Sequence, residues 1–167
     1  MTAGEATQAL RSSREADSLS RGFRPNPIAI VVAVWLGGWG LGLVGFSVAM
    51  PAALRWSGCC LLVVGFFPGL PALRGMLQAG TSPNPKHIPS SLVTTGIYRY
   101  SRNPMYLGML LIYAGVGLIV GSLGALLLVP VTLILLTYWV IVPEERLLRE
   151  LFDSRYAEYL KHVPRWL

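Results

Sequence analysis

Three charged residues flank the longest uncharged stretch of the sequence. Arg102 precedes it, and Glu144 and Glu145 follow it. Asn103 and Pro104 come next to the arginine. Asparagine is a favoured N-cap and proline a favoured first helical residue, so the sequence predicts a helix that begins at residue 104. An arginine beside the free N–H groups of a helix start attracts anions, and paired carboxylates attract cations. If these two ends meet in space, they form a receptor for a zwitterion.

The charge pattern indicates how the chain could bring the two ends together. No charged residue lies between Arg24 and Arg55, between Arg55 and Arg74, or between Arg102 and Glu144. A membrane-spanning helix needs about 20 apolar residues, so the first two gaps each hold one span and the third holds two. The predicted spans are about 28–50, 55–73, 104–120 and 123–142, with a turn at Gly121-Ser122 between the last two.

The composition and the distribution of basic residues predict the fold class and the topology. With 53% hydrophobic and 13% charged residues, the chain is too apolar for an ordinary soluble domain. Lipid-exposed backbone must satisfy its own hydrogen bonds, and strict alternation is absent, so we expect an all-α integral membrane protein with four transmembrane helices. Of the 14 basic residues, all but Arg55 lie outside the spans on one predicted side. The positive-inside rule then makes both termini cytoplasmic, in a multi-pass protein of the cell inner (plasma) membrane. This topology accounts for the basic charge, and no nucleic-acid partner is predicted.

The two ends of the chain differ from the spans. Residues 1–26 mix small polar and charged residues without periodicity, which predicts a mobile basic tail. Residues 27–167 are predicted to form a single membrane domain. In residues 143–162 apolar side chains recur at three- and four-residue steps, which predicts an amphipathic helix along the cytoplasmic interface.

The predicted spans place the charged residues at similar depth. At 1.5 Å per residue, the third and fourth spans rise about 25 Å and about 30 Å, so Arg102 and the two glutamates should lie on neighbouring helix ends. The planar fork of arginine can bind both oxygens of a carboxylate. A ligand of matching chemistry is the amino-acid end of S-adenosylmethionine, whose sulfonium adds a positive charge. Tyr98, Tyr100 and Tyr106 could flank its adenine or its sulfonium.

The same residues also have purely structural interpretations. Glu144 and Glu145 would favour the dipole of a helix that begins near them, without any ligand. Arg102 could be an ordinary anchor at the cytoplasmic face. Composition and spacing leave these alternatives open. His87 and His162 are isolated, with no partner at metal-ligand spacing, so no metal site is predicted.

Two segments resemble a known family. "LVTTGIYRYSRNPMYLG", residues 92–108, is similar to a pattern of Leu-Val-x-x-Gly-x-Tyr-Arg followed by Arg-His/Asn-Pro-x-Tyr. "EERLLRELFDSRYAEYLKHVPRW", residues 144–166, is similar to Glu-Glu, then Phe-Gly-x-x-Tyr-x-x-Tyr and Val-Pro. In this order they resemble the isoprenylcysteine carboxyl methyltransferase-like integral membrane methyltransferases, which include phospholipid N-methyltransferases. The resemblance covers about residues 80–166, and the combination is more specific than either segment alone.

The resemblance implies a helical bundle whose cytoplasmic half encloses S-adenosylmethionine, with a tunnel from the bilayer for a lipophilic acceptor. Arg102 and Glu145 fall in the two quoted segments that carry the resemblance, and we assign them supporting electrostatic roles in catalysis. The positions that match the cofactor-binding residues of the family are Ser90, Ser91, Leu92, Val93, Tyr98, Asn103, Pro104, Met105, Tyr106 and Glu144.

The chain also departs from the family pattern. Asn103 stands where the prenylcysteine branch has histidine, and Asp153 replaces the glycine after Phe152. Val140 occupies the region in which that branch places a substrate-binding arginine. Recognition of a prenylcysteine carboxylate is therefore not carried over to this chain.

The resulting hypothesis is in-line transfer of a methyl group from the sulfonium to a carboxylate, thiol or amine of a prenylated or lipid-like molecule. The leaving group becomes neutral, so catalysis would come mainly from alignment and water exclusion. For an amine acceptor, Glu145 is the candidate proton acceptor. One alternative is an NADPH-dependent membrane reductase of lipid double bonds, although the sequence has no Gly-rich dinucleotide loop. Another is a non-catalytic membrane interaction protein.

Overall fold

The computed structural model describes residues 25–84 and 87–167 and contains no β-strand within them. The predicted tail falls outside the described residues as far as residue 24. The helices are α1 (Pro27–Leu41), α2 (Ala52–Gln78), α3 (Pro104–Val120), α4 (Leu123–Leu127), α5 (Val129–Leu135) and α6 (Val142–His162), with π-helical segments at Gly42–Phe46 and Leu136–Ile141 and a 3₁₀ turn at Gly96–Arg99.

Two stretches are long and apolar enough to cross a membrane by length and composition. They are Pro27–Gly45 and Ala52–Gln78, and most of their residues are exposed. A soluble protein would bury such apolar surface, so this exposure fits a lipid environment. Helix α3, with 17 residues, is shorter. The predicted fold class is therefore confirmed as all-helical in the described residues, with two candidate membrane spans.

Helices α2 and α3 pack closely through paired glycines. A Cβ atom added at Gly58 would lie 2.8 Å from the carbonyl oxygen of Gly115, and one added at Gly65 would lie 2.9 Å from that of Gly108. Small residues at such positions let two helix backbones approach each other in lipid. This pairing of two glycines on each helix fixes α3, and with it the start of α3, against α2.

The start and the end of α3 follow local sequence signals. The helix begins at Pro104, as predicted, and ends at Gly121, whose φ of 77° is left-handed. Glycine adopts this conformation without a Cβ penalty, which is the usual way for a helix to stop. Ser122 then caps α4 by accepting a hydrogen bond from the Ala125 N–H through its side chain. The predicted turn at Gly121-Ser122 is therefore present.

The segment predicted as a fourth continuous span is divided. Helices α4 and α5 are separated at Leu128, and Pro130 at the start of α5 lacks the N–H that would continue the earlier helix. Further on, the Val142 N–H bonds to the Thr137 oxygen, five residues back, in the π-helical segment. This segment continues directly into α6, so Glu144 and Glu145 lie in the first turn of α6 with no loop before them.

Helix α6 has an internal kink. Asp153 has φ 36° and ψ −113°, which are not helical angles, although the helix continues to His162. Among the described residues, Asp153 is the one non-glycine residue with a positive φ. Residues that carry a side chain rarely adopt this backbone conformation. The kink redirects the last part of α6, including Tyr156 and Tyr159, back towards the start of α3.

The apolar core lies where four segments meet. Its buried members are Ile30 of α1, Leu110 of α3, and Leu136 and Val140 of the second π-helical segment. Tyr106 and Trp166 pack against this cluster from α3 and from the C-terminal segment. The core therefore packs against the first half of α3.

Candidate functional site

A cavity of about 550 Å³ lies at one end of the bundle, between the loop after α2, the start of α3 and the first turns of α6. Its walls combine apolar side chains with a few polar groups, which is the usual character of small-molecule sites. The lining residues include Leu73, Met76, Met109, Leu147 and Leu148 on the apolar side.

The structure brings most of the predicted site residues to this cavity. Those that line it are Ser91, Leu92, Val93, Tyr98, Arg102, Asn103, Pro104, Met105, Tyr106, Glu144 and Glu145. Ser90 does not line it. Its hydroxyl donates to the Gly80 oxygen at 2.8 Å, and its N–H donates to the Thr81 hydroxyl at 3.2 Å. Ser90 thus ties the loop to the end of α2, as Ser91 also does through its bond to the Ala79 oxygen.

Glu145 lies at the centre of an ion-pair cluster. Its Oε1 accepts from Arg102 Nη1 at 2.8 Å and from Arg165 Nε at 2.9 Å, and its Oε2 accepts from Arg165 Nη2 at 2.7 Å. The side chains of Glu145 and Arg102 are only 7% and 12% exposed, whereas that of Arg165 is 36% exposed. The two charges expected to face a shared ligand therefore bind each other directly.

One donor of Arg102 has no hydrogen-bond partner among the residues that the structure describes. Its Nε is buried and makes no hydrogen bond to any described residue. A buried unpaired donor is costly, so it is expected to have a partner in the functional state. Because Arg102 lines the cavity, its guanidinium group is a candidate donor to a bound anion.

Glu144 faces a different neighbour. Its Oε1 accepts a hydrogen bond from the Tyr106 hydroxyl at 2.8 Å. Both side chains line the cavity. Successive residues of a helix point in different directions, and this is why the two adjacent glutamates serve two separate contacts.

Tyrosines form much of the remaining polar wall. Tyr98, Tyr156 and Tyr159 line the cavity together with Tyr106. The Tyr159 hydroxyl donates to the Tyr98 carbonyl oxygen at 2.6 Å, which joins the end of α6 to the 3₁₀ turn. Burial, with a smaller contribution from the Glu144 charge, raises the pKa of Tyr98 to about 12. Burial is also the largest cause of the raised pKa values of Tyr156 and Tyr159. These hydroxyls are therefore neutral at physiological pH.

Asn103 makes different contacts from those predicted. Helix α3 begins beside it, but its side chain makes no capping hydrogen bond. Instead its Nδ2 donates to the Arg165 carbonyl oxygen at 2.9 Å. The C-terminal segment competes for this side chain, and a local capping rule does not include such a long-range partner.

Sequence reasoning missed several residues of the site. Tyr156 and Tyr159 fall in the Tyr-x-x-Tyr motif of the resemblance, which could have indicated them. His87 also lines the cavity, and its Nδ1 lies 3.1 Å from the Ser82 hydroxyl. Tyr100, which was expected to flank a ligand, is 70% exposed and does not line the cavity.

The chain is similar to known proteins in two comparisons. A family model described as phospholipid methyltransferase matches residues 53–155, which is more than half of the chain. A protein-S-isoprenylcysteine O-methyltransferase from Schizosaccharomyces pombe is 35% identical over 96 residues. That alignment covers 53% of this chain and 40% of the relative, so the chain spans less than half the length of the relative. No solved structure matches the chain.

Proposed function

The chain belongs to the phospholipid methyltransferase family, and from this membership we propose that it transfers a methyl group from S-adenosylmethionine to a lipophilic acceptor at the cytoplasmic face of a membrane. The observation that carries the proposal is the cavity in which Arg102, Glu144 and four tyrosines meet. When bound there, S-adenosylmethionine supplies an electrophilic methyl group on its sulfonium.

The residues of the cavity fit this cofactor chemically. Its carboxylate needs a donor, and the guanidinium group of Arg102, which lines the cavity, supplies one. Its ammonium and sulfonium need negative charge or aromatic faces, and Glu144, Tyr98 and Tyr106 supply them. We assign the cofactor to this wall, with Ser91 to Val93 and Asn103 to Met105 completing it.

The protein's own residues act mainly by binding and alignment. The apolar wall excludes water and leaves room for the apolar part of an acceptor. Both oxygens of Glu145 already accept hydrogen bonds from guanidinium groups, so we assign it to positioning Arg102 rather than to accepting a proton. Glu144 is the carboxylate that we place next to the reacting groups.

The membrane topology belongs to the same proposal. We propose four crossings, with α1 and α2 as the first two, α3 as the third, and α4, α5 and the second π-helical segment as the fourth. The exposed apolar surfaces of α1 and α2 support this arrangement. Under it, the cavity opens on the cytoplasmic side of an inner membrane and both termini are cytoplasmic. Helix α6 lies on that side, where the part after the kink at Asp153 can follow the interface, and residues 27–167 form one domain.

Ligand binding to the detergent-solubilised protein tests the proposal. We expect equilibrium dialysis to show binding of radiolabelled S-adenosylmethionine and no binding of NADPH. Glu144→Ala and Arg102→Ala should each weaken binding by about 2–5 kcal/mol, because each removes a charge-assisted partner from a part-buried site. Glu150→Ala and Arg155→Ala are matched controls, since both residues are exposed. Binding of NADPH instead, or equal affinity in all four variants, would contradict the assignment.

A second assay addresses the acceptor. Vesicles of phosphatidylethanolamine and a farnesylated cysteine derivative are offered separately with labelled S-adenosylmethionine. Label in the lipid indicates N-methylation, and base-labile label in the cysteine derivative indicates an O-methyl ester. Binding of the cofactor without transfer to either acceptor, or to any component of a membrane lipid extract, would contradict a methyltransferase of lipophilic acceptors.

A further inference from the structure

The last five residues, Val163 to Leu167, form a C-terminal strap over the beginning of α3. Val163 leaves the helix in an extended conformation, with φ −123° and ψ 125°. The strap then runs beside residues 101–103. The Arg102 N–H donates to the Pro164 oxygen at 3.1 Å, and Asn103 Nδ2 donates to the Arg165 oxygen at 2.9 Å. Two strap carbonyls therefore hold the turn that precedes α3.

The side chains of the strap reinforce this contact at both sides. Val163 is buried, and Trp166 packs against the apolar core cluster. Between them, Arg165 forms the bidentate ion pair with Glu145 that is described above. Such a bidentate arginine pair fixes the orientation of the carboxylate as well as its position.

The geometry connects Arg165 to the cavity through one intermediate. Arg165 is not among the residues that line the cavity. Its partner Glu145 does line it, and the same Glu145 oxygen that accepts from Arg165 Nε also accepts from Arg102 Nη1. Arg165 therefore fixes the carboxylate that holds Arg102, and Arg102 itself lines the cavity.

We propose that the C-terminal strap is a positioning element of the binding site, and that Arg165 orients Arg102 through Glu145 so that Arg102 can bind the carboxylate of the methyl donor. This inference rests on the proposed function. It assigns to Arg165 an effect on donor affinity without contact to the donor, and it leaves the acceptor unaffected.

The test compares three variants of the full chain in detergent. Arg165→Ala removes the bidentate pair, Arg165→Lys retains one charged contact, and Arg155→Ala removes an exposed arginine as a control. We expect Arg165→Ala to raise the Kd for S-adenosylmethionine at least tenfold, Arg165→Lys to give an intermediate Kd, and the control to leave it unchanged. The KM for the acceptor should stay within about twofold of the wild-type value in all three, because loss of one charged contact acts only at the site it positions.

Hydrogen exchange of the ligand-free protein separates this inference from the proposed function. Loss of the strap contact should speed exchange of the amides in residues 101–106, the Arg102 amide above all, in Arg165→Ala but not in the control. Absence of donor binding in the wild-type protein would refute the proposed function, and with it the role assigned here. Normal binding in the wild type with an unchanged Kd or unchanged exchange in Arg165→Ala would refute the strap alone. If Arg165→Ala does not fold, the same comparisons apply to Arg165→Lys, and a wild-type Kd and wild-type exchange in that variant would refute the proposal.

Discussion

Replacement of Glu145 by alanine tests the ion-pair cluster most directly. The carboxylate is shared by two guanidinium groups, and its removal leaves Arg102, which is 12% exposed, without its charge partner. Breaking a buried pair by removing one partner costs about 3–5 kcal/mol. Arg165 is 36% exposed and can turn to water, so its loss of the partner adds little. We therefore expect the lower end of that range, about 3 kcal/mol of unfolding free energy.

The measurement is thermal unfolding in detergent, monitored by circular dichroism. For a chain of this size, a loss of about 3 kcal/mol corresponds to a decrease in Tm of roughly 6–12 °C. Glu150→Ala, at an exposed position of the same helix, is the control and should leave Tm unchanged. A double-mutant cycle with Arg165→Ala should give a coupling energy of only about 0.2–1 kcal/mol, because the Arg165 side chain is 36% exposed. A decrease in Tm below about 2 °C for Glu145→Ala, equivalent to less than about 1 kcal/mol, would show that the cluster is not a buried pair.

Three further predictions concern the scaffold. Gly65→Ala should lower Tm, because its Cβ would lie 2.7 Å from Ile112 Cγ1 and 2.9 Å from the Gly108 oxygen. Gly69→Ala is the control and should not lower Tm, because a Cβ at Gly69 meets no atom within 4 Å. Asp153→Gly should raise the unfolding free energy by about 1 kcal/mol in denaturant titrations, because glycine adopts a positive φ without strain. An unfolding free energy equal to or below that of the wild type would contradict a strained kink. Tyr98 has a pKa raised to about 12 from 10.0, so its stabilising contribution is complete below pH 10 and is lost as the pH rises through 12. Absorbance at alkaline pH should show a tyrosine titration near pH 12 that disappears in Tyr98→Phe. The same variant should lose less stability than the wild type between pH 10 and 12. Titration of every tyrosine near pH 10 would contradict the burial of Tyr98.

The sequence predicts the features of the fold that depend on local chemistry. The start of α3 at Pro104 and its end at Gly121 follow from a missing N–H and a permitted left-handed conformation, so both were readable. The breaks around Pro130 and at the second π-helical segment depend on tertiary packing as well, and the sequence predicted one uninterrupted span there.

The candidate site shows the same division. The convergence of Arg102 and Glu145 follows from two antiparallel segments of similar length, and this was predicted. The contribution of Arg165 was not, because it requires the helix to kink at Asp153 and the strap to turn back over α3. Periodicity describes a straight helix and contains no information about such a reversal. The same strap explains why Asn103 binds a distant carbonyl rather than the first turn of α3.

The second π-helical segment determines in which direction around the helix axis the side chains of α6 point. In an α-helix each residue advances the chain by about 100° around the axis, so the one additional residue accommodated where Val142 reaches back to Thr137 rotates both glutamates by about that angle. With regular winding, Glu145 would point away from Arg102 and Glu144 away from Tyr106. The number of residues between Thr137 and Glu144 is thus as much a part of the site as the carboxylates, and a single deletion there would dismantle it without removing any charged group.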